Sequence, residues 1–231
     1  MGNDACGKNQ GLITETVRVW DLPTRLFHWL LVLLIGWEWA SSHLGQRFLV
    51  YHMWGGYAVL ALLVFRLLWG LIGSETARFS SFVASPRRVW QYLRSAGKDT
   101  CWRLGHNPLG GWSVMAFLLV LSVQVGTGLF ATDDILTAGP LNRFVRNRTG
   151  DLLTHIHKLN FDLILGLVGI HILAIIAHRV IGKHDLVKPM LTGHADLPAP
   201  AQRPAPFFAR LWLAGLVALA SVLATWLVVT A

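Results

Sequence analysis

The chain has 231 residues, of which 54% are hydrophobic and only 14% charged, with 11 tryptophans and a formal net charge of +8. A soluble domain of this length carries nearer a quarter charged residues, so lipid is the solvent for much of this one. The basic excess sits in the connections between apolar runs, as in membrane proteins, and no nucleic-acid partner is expected. Cys6 and Cys101 each stand alone, without a CxxC or CxxCH motif. That excludes covalent c-type haem attachment and gives no sign of an iron–sulfur or zinc centre; with both cysteines expected on the cytoplasmic side, a disulfide is not expected either.

In chain order, residues 1–16 read as a polar cytoplasmic tail without the apolar core of a signal peptide. Five apolar runs then approach the ~20 residues a membrane-spanning helix needs: 26–42, 51–72, 112–131, 156–181 and 207–229. Ser85-Pro86-Arg87 opens a short stretch, 87–95, that reads as an amphipathic helix along the membrane surface. Pro108 suits the start of the third long helix, with His106 helping to order that start. Between the fourth and fifth runs, four prolines in 197–206 predict a stiff, extended connection. The expected organisation is therefore all-α: a four-helix membrane bundle over 17–193, a Pro-rich linker over 194–206 and an appended transmembrane helix over 207–231. The last run has no His, Asp, Glu, Lys or Cys after Arg210, which reads as an anchor or docking helix separate from the core.

Outside the runs or near their ends, fourteen Lys and Arg fall on the side of the N-terminus and five on the other. The positive-inside rule places the N-terminus in the cytoplasm and the C-terminus outside.

Ten histidines are present, and those inside apolar runs carry the chemistry, because polar groups at membrane depth are costly and tend to be functional. His157 and His171 are 14 residues apart. At 100° per residue they fall within ~40° of the same helix face, separated by ~21 Å along the axis. His155 falls on the opposite face. His28 lies near the inner end of the first run and His52 near the outer end of the second. Given the topology, His28 pairs with His171 at the inner level and His52 with His157 at the outer level. Two imidazoles per iron fill the axial positions of a haem and favour electron transfer over oxygen chemistry.

Arg66, 14 residues after His52, shares its face at the inner level. It is a candidate partner for a haem propionate, with snorkelling to the surface as the alternative. Arg25, three residues before His28, is placed similarly. Gly55, Gly56, Gly166 and Gly169 would allow close approach of a macrocycle or a neighbouring helix. Glu38 and Asp162, near the outer ends of their runs, could accept protons from a quinol, although hydration or pairing with Lys158 is the favoured reading. His178, His184 and His194 read as interfacial or cytoplasmic. Trp20, Trp29, Trp37, Trp39, Trp54, Trp69 and Trp112 read mostly as an interfacial aromatic belt.

Taken together, Arg25-Leu-Phe-His28-Trp29, His52-Met-Trp-Gly-Gly-Tyr57, Gly105-His-Asn-Pro-Leu-Gly110, Ile156-His157 through Ile170-His171, and Asp185-Leu-Val-Lys-Pro-Met190 resemble the bacterial cytochrome b561 and nickel–iron hydrogenase b-type cytochrome family. The resemblance covers roughly residues 17–193 and implies a four-helix core holding two haems b. His28, His52, His157 and His171 match the family's axial-ligand positions. It implies electron transfer between the quinone pool and a periplasmic partner, a c-type cytochrome or a hydrogenase-like protein. The alternative is a stand-alone quinone oxidoreductase acting on a small anion such as superoxide, steered by Arg143, Arg146 and Arg148.

Overall fold

The computed structural model describes residues 14–94, 105–133, 137–181, 185–198 and 206–231. The expectations for Cys6, Cys101, His184 and most of the Pro-rich connection lie outside the described residues. The elements in chain order are β1 (Thr14–Arg18), α1 (Leu22–His43), α2 (Leu49–Ile72), α3 (Phe79–Phe82), α4 (Pro86–Arg94), α5 (Pro108–Gly128), α6 (Asn147–Val180), α7 (Val187–Thr192), β2 (His194–Pro198) and α8 (Leu211–Thr230).

Two of the long helices start on a side-chain cap followed by proline. The Asp21 side chain accepts the Thr24 amide and Pro23 occupies the first turn, so α1 begins four residues before its apolar run. Asn107 does the same for α5, accepting the Gly110 amide with Pro108 next to it. Gly105 precedes this cap at φ +92°, a left-handed conformation that favours glycine. The Gly-His-Asn-Pro motif is therefore a helix-starting device. The α6 helix runs 34 residues, nine of them ahead of the apolar run. At ~1.5 Å per residue it is ~51 Å long and extends beyond a ~30 Å hydrocarbon core.

The long helices form antiparallel neighbours. In the α1–α2 hairpin, Trp37 donates to the Tyr51 carbonyl and Ser41 meets His52. In the α5–α6 pair, Gln124 faces His157, and Asn160 donates to the Val120 carbonyl. The central contact is made by Val59 and Leu63 of α2, Leu118 and Leu121 of α5, and Ile164 of α6. Most other large apolar side chains on these helices face outward, including Leu33, Leu119, Leu173 and Leu219, which suits lipid and not water. Among the described residues, four helices are long and apolar enough to cross a membrane: α2 with its preceding turn, α5, α6 and α8. The first expected span does not qualify. Arg25, His28, Glu38 and His43 dilute the apolar character of α1, although its 22 residues are long enough.

Two expectations change. The C-terminal helix is not separate from the bundle: Ala214 and Val217 pack against Phe65 and Trp69 of α2, and the Ala209 amide donates to Ser74 Oγ. Small residues on this face of α8 let the two backbones approach. The first part of the expected linker is instead β2, which pairs antiparallel with β1, Thr16 opposite Asp196. Thr16 Oγ1 and Lys188 Nζ both donate to the Asp196 carboxylate.

The segment around α7 closes over the start of α1. Asp185 caps α7 through the Lys188 and Val187 amides, which hold its carboxyl below the usual range. Trp29 Nε1 donates to the Met190 carbonyl, Arg25 to the Leu191 carbonyl, and the Val19 and Trp20 amides to the Gly193 carbonyl. This accounts structurally for the Asp185 to Met190 motif. The short surface helix is present as α4, its apolar Val89 buried and Trp112 donating to the Ala84 carbonyl just before it.

Candidate functional site

The structure brings the four histidines together in two pairs. His28 of α1 and His171 of α6 have ring centroids 6.5 Å apart. His52 of α2 and His157 of α6 have ring centroids 6.2 Å apart. His155 is exposed and joins neither pair, and His178 lies a further two turns along α6 from His171.

At the outer pair the hydrogen bonds fix the tautomers. His52 Nδ1 lies 2.8 Å from Glu38 Oε2, 3.2 Å from the Glu38 carbonyl and 3.2 Å from Ser41 Oγ. A nitrogen surrounded by acceptors carries the proton, leaving the Nε2 lone pair free. His157 Nδ1 donates to the Gln124 carbonyl at 2.9 Å, while the Gln124 side-chain amide donates to Nε2 at 3.2 Å. Asn160 in turn donates to Gln124 Oε1 at 2.7 Å. Both outer imidazoles therefore present Nε2 as an acceptor. Gly128 lies against His157, where a Cβ would meet the ring at 2.9 Å.

Glu38 was expected to be hydrated or paired with Lys158. It pairs with His52 instead, its side chain only 13% exposed, because the α1–α2 hairpin sets the two residues face to face. Its other oxygen, Oε1, is buried without a partner and rests where a Cβ on Gly55 would stand 1.9 Å away. Gly55 thus makes room for a carboxylate. Gly56, Gly166 and Gly169 face open space.

The inner level has a different character: it is short of acceptors. His28 Nδ1, Arg25 Nε and Arg66 Nη1 are all buried without a partner among the described residues. Arg66 does not snorkel. It is 2% exposed, with its guanidinium 4.9 Å from the Phe79 ring centroid and 5.8 Å from that of Phe82. The anion that acts on it, Asp21, is already engaged by the Thr24 amide and by Trp69 Nε1 at 2.9 Å. Arg25 spends one nitrogen on Leu191 and keeps another free.

Trp69 is fully buried and Trp20 nearly so, and both belong to this inner scaffold. Trp37, Trp39, Trp54 and Trp112 remain exposed, as an interfacial belt requires. His106, in the loop before α5, packs its ring 4.7 Å from Trp20 and 4.6 Å from Phe82. Burial, with the Arg66 guanidinium nearby, pushes its pKa down to about 3.

The Glu38–His52 contact and the role of Gly55 were not visible in the sequence. The only signal was a carboxylate in an apolar run that faces a histidine once the hairpin register is known.

No match is found among curated proteins or among solved structures. The family model for prokaryotic cytochrome b561 matches residues 19–193, most of the chain and all four paired histidines. The chain therefore belongs to the prokaryotic cytochrome b561 family, whose members bind b-type haem and transfer electrons in membranes.

Proposed function

We propose that the protein is a two-haem relay that carries electrons across the bacterial inner membrane between the quinone pool and a periplasmic redox partner. His28 and His171 would hold the inner haem, and His52 and His157 the outer. One observation carries this reading: centroid separations of 6.5 and 6.2 Å at two levels of one helix. An iron bound to two imidazoles needs two metal–nitrogen bonds of about 2 Å plus roughly 1.1 Å from each nitrogen to its ring centre, about 6.2 Å in all. The tautomers of His52 and His157 support it, since each leaves the Nε2 lone pair as an acceptor; at His157 the Gln124 amide that donates to it would turn away for a metal to bind. So do the partnerless donors of Arg25 and Arg66, which suit the propionates of the inner haem.

Haem b, when bound, supplies one-electron chemistry. The protein's own residues supply axial nitrogens, burial and a fixed spacing between levels, ~21 Å along α6. The preferred partner is a c-type cytochrome reduced at quinol's expense.

The relay needs α1 to cross the membrane as well, and the β1–β2 pairing supports this. The two strands lie on one side, so the chain between them crosses an even number of times. The helices α2, α5 and α6 supply three crossings, and α1 is the remaining long helix. With the positive-inside count, β1, β2 and α4 are then cytoplasmic and the end of α8 periplasmic.

The test is a quantitative pyridine haemochrome on wild type, His157→Ala and His171→Ala purified from haem-sufficient cells. Two haems b per wild-type chain and one in each variant are expected. One haem in the wild type would overturn the two-level reading.

A further inference from the structure

The two histidine pairs differ in what stands behind them. His157 leans on a neutral backbone carbonyl, and His28 Nδ1 has no partner among the described residues. His52 alone of the three leans on a carboxylate, Glu38 Oε2, at 2.8 Å. That carboxylate is held in place rather than reaching in from solvent. It is 13% exposed, its backbone carbonyl also faces His52 Nδ1, Ser41 Oγ donates to the same carbonyl, and Gly55 leaves the space that Oε1 fills.

We infer that Glu38 is a positioning residue that sets the outer haem's reduction potential below the value a neutral partner for His52 would give. The inference rests on the axial ligation proposed above. A carboxylate accepting the Nδ1 proton fixes the ring's orientation and makes Nε2 a stronger donor to the metal. A stronger donor with negative charge behind it favours ferric over ferrous iron, because the oxidised site carries one more positive charge. Among the described residues the inner pair has no such carboxylate. Glu38 of α1 therefore acts on the outer level alone, through His52 of α2.

The experiment is a spectroelectrochemical titration of the purified holoprotein, together with electron paramagnetic resonance of the oxidised form, on wild type, Glu38→Gln and Gly55→Ala. Glu38→Gln keeps an acceptor of the same shape and removes the charge. Gly55→Ala keeps the charge and displaces the carboxylate. Each is expected to retain two haems, to shift one potential positively by at least a tenfold change in the reduction equilibrium, ~59 mV for one electron, and to alter one low-spin ferric signal. The second potential should not move. Should Glu38→Gln fail to assemble, Gly55→Ala decides. Two haems with both potentials and both signals unchanged would overturn the inference and leave the ligation intact. Fewer than two haems in the wild type would instead overturn the ligation on which it rests.

Discussion

Gly128→Ala puts the outer site under a defined and small stress. The added Cβ would lie 2.9 Å from His157 Cε1 and 3.1 Å from Nδ1, where ordinary contact begins at 3.4 Å. The ring must retreat by about half an ångström, since the helix backbone carrying the methyl has little freedom to yield. Its bond to the Gln124 carbonyl, now 2.9 Å, then stretches to about 3.4 Å, past the useful range. The loss is ~1 kcal/mol from the hydrogen bond. Because that bond also aims Nε2, haem affinity at the outer site should fall roughly 10- to 100-fold. The assay is haem retention during detergent washing, followed by haemochrome and optical spectrum. Gly126→Ala is the control: nothing lies within 4 Å of its position, so haem content should be unchanged, and the helix gains up to ~1 kcal/mol from the better helix former. If Gly128→Ala retained both haems as tightly as Gly126→Ala does, the placement of His157 against α5 would be wrong.

Three further outcomes are expected. Gly111→Ala should lower the melting temperature of the detergent-solubilised protein, because its Cβ would stand 2.6 Å from the Phe82 carbonyl oxygen and cost roughly 1–3 kcal/mol. Trp69→Phe should cost ~1.5–3 kcal/mol in the same assay, the worth of a buried hydrogen bond to a carboxylate, since Asp21 loses the indole donor at 2.9 Å. His106 is neutral in the folded protein, its pKa pushed down from 6.5 to about 3. A depressed folded pKa gives stability that is complete above the unfolded value and lost as pH falls. Melting should therefore weaken from pH 6.5 downward by at most ~1.4 kcal/mol per pH unit, and His106→Gln should remove that part of the slope.

What could be read from the sequence was what repeats or accumulates along it. Apolar runs gave four of the five long helices nearly to the residue at one end, and the 14-residue interval gave His157 and His171 a common face. Combining topology with that interval was enough to pair them with His28 and His52, which the ring spacings match. What failed to show depends on residues distant in the chain. The fate of Arg66 turns on Phe79 and Phe82 folding over it. The partner of Glu38 turns on the register of a hairpin, which an apolar pattern does not fix. The additional nine residues of α6 are polar apart from Gly150, Leu152 and Leu153, so hydropathy passes over them. The β1–β2 pair leaves no local signature, because each strand is five residues long and has its partner at the far end of the core.

That last pairing carries a consequence for biogenesis. Thr16 and Asp196 are 180 residues apart, and a ribosome adding ~5–20 residues per second needs roughly 10–40 s to make the second strand after the first. On the proposed topology β1 meets its partner only after α6 has returned to the starting side, so the clasp between the two ends closes as a late step in assembly, after the histidine-bearing helices have been made.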